Sequence, residues 1–135
     1  MDTQSLHEQA PPRLLYSEPQ LFACNMERSL HFYIDKLGFE IGFKYGEPVH
    51  YAQIVRGGAR LNLRHADRTP FDPEFRKIAG DALAATIVVD GPDRLFAELV
   101  QQGADFHQPL RTESWGARTF IIRDPDNNLL CFAGS

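Results

Sequence analysis

Tryptophan occurs once in this 135-residue chain, at Trp115, and cysteine twice, at Cys24 and Cys131. The two cysteines lie far apart and form no CxxC pair, which leaves out zinc-ribbon and dithiol redox motifs. They read as reduced thiols of a cytoplasmic protein. No apolar run approaches the roughly 20 residues that span a bilayer, so no membrane association is expected. The opening MDTQSLHEQAPPRLLYSE lacks the charged-then-apolar layout of a secretory signal. There is no cluster of lysine and arginine, and the formal net charge is −4, which argues against nucleic acid as a partner. GxSxG, phosphate-binding glycine loops and a nucleophile–base pair are also missing. His31, His50, His65 and His107 have no metal-ligand spacing. DPDNN (124–128) lacks the spacing of an EF-hand and reads as a turn between strands.

What is present suits one domain with a sizeable core, since 43% of the residues are hydrophobic. Residues 1–17 read as a flexible polar arm broken by Pro11 and Pro12. From 18 to 135 the chain reads as a single domain of two similar units, about 18–65 and 83–134, joined by a loop at about 66–82. In the first unit a short strand, LFAC (21–24), leads to Asn25, a residue suited to cap a helix N-terminus. Leu30, Tyr33, Ile34 and Leu37 recur at helical spacing and define one buried face. Gly38 stands where a helix end tolerates positive φ. FEIGFKY (39–45), HYAQIV (50–55) and ARLNLRH (59–65) read as strands, the last two joined at Gly57–Gly58 as a hairpin.

The pattern then repeats. LAATIVV (83–89) has the continuous apolar character of a buried strand. Asp90 is the expected N-cap, Pro92 lies in the first helical turn, and Leu95, Phe96, Leu99 and Val100 form the apolar face. Strands are expected at about 105–111, 118–123 and 128–133. Asn25 and Asp90, Leu30 and Leu95, and Gly38 and Gly103 share one offset of 65 positions, the mark of an internal duplication. The connecting loop is longer than most, which makes it a candidate for a short helix or for function.

NMERSLHFYIDKLGF (25–39) resembles the first helix of the vicinal oxygen chelate superfamily, the glyoxalase/bleomycin-resistance/extradiol-dioxygenase group. ESWGARTFIIRDPDNNLLCF (113–132) resembles its closing hairpin, especially in the bleomycin-resistance branch. The resemblance implies an α+β fold of two tandem βαβββ units forming curved mixed sheets around a cleft, assembled as a homodimer. In metal-dependent members, side chains on the cavity face hold a divalent ion. The matching positions here fall near Glu18 and at Asn62, Ala84 and Cys131. That set does not supply the oxygen or nitrogen donors such an ion needs, so no metal and no cofactor are expected.

Strand alternation sets Arg60, Asn62 and Arg64 on one side and Leu61 and Leu63 on the other. The resemblance implies that the arginine side faces the cavity, that Trp115 lines it and that Cys131 is its apolar wall, so the expected ligand site comprises Arg60, Asn62, Arg64, Tyr51, Trp115, Arg118 and Cys131, with no catalytic residue. Its arginines favour a ligand carrying a carboxylate, phosphate or several hydroxyls beside a planar part that stacks on Trp115. The function implied by the resemblance is metal-free sequestration of a small molecule, an antibiotic or an aromatic compound. The alternative it leaves open is a metal-dependent lyase, isomerase or dioxygenase.

Overall fold

A computed structural model describes residues 10–68 and 71–135. Residues 1–9 of the expected arm, and Thr69 and Pro70 of the connecting loop, lie outside the described residues. Residues 10–19 are without helix or strand and expose most of their side chains.

The first unit runs β1 (Gln20–Ala23), α1 (Met26–His31), β2 (Glu40–Tyr45), β3 (Tyr51–Arg56) and β4 (Ala59–His65). Asn25 caps α1 as its residue type predicts, its side chain accepting a hydrogen bond from Arg28 N at 3.0 Å. Beyond His31 the helix widens over Phe32–Lys36, where Leu37 N donates to Phe32 O five residues back. Such a bulge rotates the end of the helix, and Tyr33 within it is fully buried. Gly38 then closes the helix at φ +72°, and Gly103 does the same in the second unit at φ +73°.

The second unit follows a short helix, α2 (Pro73–Ile78), which occupies the long connection. It runs β5 (Ala85–Val88), α3 (Pro92–Gln101), β6 (Phe106–Thr112), β7 (Arg118–Arg123) and β8 (Leu129–Gly134). Asp90 does not cap α3 as expected. Gly91 holds that position, with no side-chain cap, and Pro92 starts the helix one residue later. Proline's fixed φ suits the first turn, so the entry is set by Pro92 rather than by a capping carboxylate.

The two sheets have equivalent orders, β1-β4-β3-β2 and β5-β8-β7-β6, and in each the first and last strands of the unit pair in parallel. The duplication is therefore real in topology: two βαβββ units, as expected. One shared core lies on the helix side of both sheets. It includes Leu21, Ile54, Leu61 and Leu63 from the first, Phe120, Ile122, Leu130 and Phe132 from the second, and Tyr33, Leu37 and Leu99 from the helical segments. Each fully buried side chain of this size contributes about 1.5–3 kcal/mol of transfer free energy. Because strand residues alternate, the opposite faces of both sheets point away from this core and from each other. No helix among the described residues is long and apolar enough to cross a membrane.

Candidate functional site

The outer face of the first sheet carries Phe43, Tyr51, Gln53, Asn62 and Arg64. Phe43 stacks on Tyr51, with ring centroids 6.0 Å apart and planes 18° from parallel. A bulge between Ile41 and Phe43 sets this facing: it shifts the register of β2 so that Phe43 pairs with Gln53 and Tyr45 with Tyr51. Gln53 Nε2 donates to Asn62 Oδ1 at 3.2 Å, and Asn62 Nδ2 donates to Glu18 Oε2 at 3.3 Å. The chain of amides fixes the orientation of buried Asn62. Arg64 pairs in register with Tyr51 and makes no hydrogen bond or ion pair among the described residues. Its backbone lies opposite Tyr51, the ring on which Phe43 stacks.

Cys131 belongs to the outer face of the second sheet, with Ile121, Leu129 and Ala133 in a small apolar cluster separate from the main core. Polar groups border it. Gln108 Nε2 donates to Thr119 Oγ1 at 3.1 Å, Thr119 Oγ1 donates to Glu113 Oε1 at 2.8 Å, and Arg111 Nε donates to that same oxygen at 2.7 Å. Hydrogen bonds from Arg111 and Thr119 hold the Glu113 carboxyl below its ordinary range. Burial, with the Glu113 charge nearby, pushes the Cys131 thiol up, so it stands as a neutral wall group. Two residues past Glu113, Trp115 sits in the β6–β7 turn, closed by Gly116 N donating to Glu113 O at 2.9 Å, with 75% of its surface exposed.

The seven expected ligand residues thus divide. Tyr51, Asn62 and Arg64 come together on the first sheet, and Cys131 lies on the second, with Trp115 at the β6–β7 turn. These two groups lie on different sheets, each on the face turned away from the shared core. Arg60 turns to the segment preceding β1, where its guanidinium covers the Tyr16 ring at 3.9 Å. Arg118 does not border either outer face. Even-numbered residues of β7 turn toward the helices, and its Nε and Nη2 donate to Asp93 at 3.0 and 2.9 Å. Gln53, Gln108, Thr119 and Glu113 were not expected; only strand alternation relative to Asn62 and Cys131 could have pointed to them.

A cavity of about 820 Å³ lies elsewhere, between Gly57–Gly58, Tyr16 and β5. Of the expected ligand residues only Arg60 opens onto it. It is bordered by edge strand β5, by core side chains such as Leu37 and Leu99, and by Arg56, Arg60, Thr86 and Asp90, of which Arg56 is tied to Glu98 and Arg60 lies on Tyr16. The stacked rings and the oriented amides lie instead on the outer faces.

The parallel registers place Gln20 opposite Asn62 and Thr86 opposite Cys131. Thr86 therefore stands across from Cys131, and Ala84, the position the resemblance implied, lies two residues before it with its N–H donated to Leu129 O. An amide tied to its neighbours, a hydroxyl and a protonated thiol do not fit a divalent ion. Among the described residues, no three of His, Cys, Asp and Glu gather at one point.

The profile of the Glyoxalase/Bleomycin resistance protein/Dioxygenase superfamily matches residues 16–132. The chain belongs to this superfamily. Its similarity falls in the bleomycin-resistance-like branch. The bleomycin resistance proteins of Geobacillus stearothermophilus and Staphylococcus aureus are each 28% identical over 137 residues, covering 88% of this chain and 96% of theirs. Among solved structures, a bleomycin-binding protein from bleomycin-producing Streptomyces verticillus, complexed with copper(II)-bleomycin, superposes with a TM-score of 0.72 at 25% identity, covering 93% of this chain and 99% of that one. A superfamily member from Alicyclobacillus acidocaldarius gives a TM-score of 0.73 at 22% identity, covering 88% and 89%.

Proposed function

We propose that this protein binds a small molecule and removes it from solution by sequestration, without a metal and without catalysis. The observation that carries the reading is the pairing of half-sites. One outer face presents the Phe43–Tyr51 stack, oriented Asn62 and unpaired Arg64; the other presents apolar Cys131 and Ile121 beside Glu113 and Trp115. Each is half of a cleft. A homodimer in which the first sheet of one chain faces the second sheet of its partner completes two such clefts. The similarity to bleomycin resistance proteins supports this reading.

The ligand has a planar part that stacks on the aromatic rings and an oxygen-rich group that meets Arg64. The expected arginine cluster contracts to this one residue, since Arg60 lies on Tyr16 and Arg118 on Asp93. Glu113 at the other half-site suits a cationic group on the same ligand, as does the net charge of −4.

Titration followed by Trp115 fluorescence tests the proposal, with copper(II)-bleomycin and with simple anionic and cationic aromatic compounds at two salt concentrations. Saturable binding at one ligand per chain, unaffected by chelator, is expected. Stoichiometric Zn, Ni, Mn or Fe in protein purified without chelator, lost together with a turnover activity, would favour the metal-dependent lyase, isomerase or dioxygenase instead.

A further inference from the structure

The connection between the two units does more than span them. α2 (Pro73–Ile78) packs over the β7–β8 turn, where Arg76 Nη2 donates to Asn127 O at 2.8 Å. The Arg76 guanidinium also lies over the Phe71 ring, 4.3 Å from its centroid. These two contacts fix the side chain but leave its Nε buried with no acceptor. Buried N–H groups in native proteins nearly always have a partner, so the Arg76 guanidinium is left one hydrogen bond short.

Arg76 opens onto a cavity of about 440 Å³, walled also by Phe71, Pro73, Gly80, His107 and Arg123. Arg123 brings a second guanidinium from the end of β7. Its Nη2 donates to His107 Nδ1 at 2.7 Å, and His107 Nε2 then donates to Asp81 Oδ1 at 2.8 Å. That relay uses the ring's acceptor nitrogen, so His107 orients Arg123 without neutralising it. Asp105 lies 3.8 Å from Arg123 Nη1. Arg76 has no carboxylate within ion-pairing distance among the described residues. Two planar donor groups from different elements, facing one cavity with an aromatic wall, form a receptor for an oxyanion.

We propose that this cavity binds a small aromatic or branched monocarboxylate, its oxygens held by Arg76 and Arg123 and its apolar part against Phe71 and Pro73. Asp81 and Asp105 are largely exposed at its margin and disfavour a doubly charged phosphate. The cavity lies at the far end of β7 from the Trp115 turn: Arg123 shares the outer face with Thr119 and Ile121 and ends the strand that Arg118 begins, about 17 Å of extended chain away.

The test is an NMR titration of the arginine Nε–H resonances with benzoate, run beside Trp115 fluorescence. Benzamide and inorganic phosphate serve as comparison probes. Expected is a saturable shift of the Arg76 Nε–H in the millimolar range, one benzoate per chain, with Trp115 emission unchanged. Arg76→Lys and Arg123→Gln each weaken binding at least about ten-fold, the loss of one charge-assisted hydrogen bond. Arg76→Lys keeps the charge and lies on an exposed helix, so it carries the test if Arg123→Gln does not fold. A linear, unsaturating shift overturns the proposal and assigns the Nε to a water molecule. Equal binding of benzamide, tighter binding of phosphate, or unchanged affinity in Arg76→Lys overturns it equally.

Discussion

Tyr33 Oη donates a 2.7 Å hydrogen bond to Asp124 Oδ2, joining the end of α1 to the turn between β7 and β8. Both side chains are buried. Asp124 accepts further bonds from Asn128 N, Asp126 N and Asn128 Nδ2, each at 2.8–2.9 Å. Its neighbour Asp126 accepts from Cys24 N at 3.1 Å and Ser29 Oγ at 3.2 Å. The DPDNN turn is thus a clamp between the two units. Tyr33→Phe removes one donor and is expected to lower stability by about 2 kcal/mol in urea unfolding. Asp124→Asn turns one acceptor oxygen into an NH2 facing other donors, so it should cost more than Tyr33→Phe. Burial raises the Asp124 carboxyl above its ordinary range, offset in part by hydrogen bonds from Asn128 and Tyr33. Its titration therefore withdraws stability as pH rises through that raised value, and Asp124→Asn abolishes this component.

A second link between units has the opposite pH sign. Arg56 Nη1 and Nη2 reach Glu98 at 2.7 and 2.9 Å, and Nη1 also donates to Leu37 O. Hydrogen bonds from Arg56 hold the Glu98 carboxyl below its ordinary range. The stabilisation is present above the ordinary glutamate value, about 4.3, and is lost as pH falls through the lowered one. Because both side chains are more than a third exposed, Glu98→Gln is expected to cost below about 1 kcal/mol at neutral pH. The difference should shrink in 1 M salt and vanish near pH 2, as read from paired thermal melts.

Gly134 ends β8 against the start of α3. A Cβ there would collide with Val89 O and come within 2.8 Å of Pro92 Cδ. At Gly58, in the β3–β4 turn, nothing lies within 4 Å. Gly134→Ala should therefore destabilise by about 2 kcal/mol or more, and Gly58→Ala by about 0.5 kcal/mol or less. Equal midpoints in guanidinium chloride would contradict the close approach of α3 to β8.

Local chemistry was legible in the sequence where it acts over a few residues. The Asn25 cap, the paired glycines at Gly38 and Gly103, the Gly57–Gly58 hairpin and β7 at 118–123 all follow from contacts close along the chain. The Asp90 cap failed because Pro92 competes for the same turn and sets the entry. DPDNN read as a turn between strands, and it is one, but nothing near it announces that Tyr33, distant in sequence, meets Asp124 in the core. For the same reason Arg118 looked available until α3 brought Asp93 to it. Gln53, Gln108 and Thr119 carry no motif, and their facing depends on registers and bulges that only the paired sheets display.

The proposed division of the ligand site between chains makes an unusual demand on mixed dimers. Tyr51→Ala and Trp115→Ala each remove an aromatic surface from one half-site, and each homodimer should bind ligand at least about ten-fold more weakly. In a heterodimer of the two variants, one cleft carries both defects. The other pairs an intact first sheet from the Trp115→Ala chain with an intact second sheet from the Tyr51→Ala chain. Purified through two different affinity tags, the heterodimer should bind one ligand per dimer with wild-type affinity, and its single remaining tryptophan sits at the restored cleft. If instead both half-sites belonged to one chain, neither cleft would be whole and binding would stay weak. Recovery of half the wild-type stoichiometry at full affinity therefore separates a cleft between chains from a cleft within one.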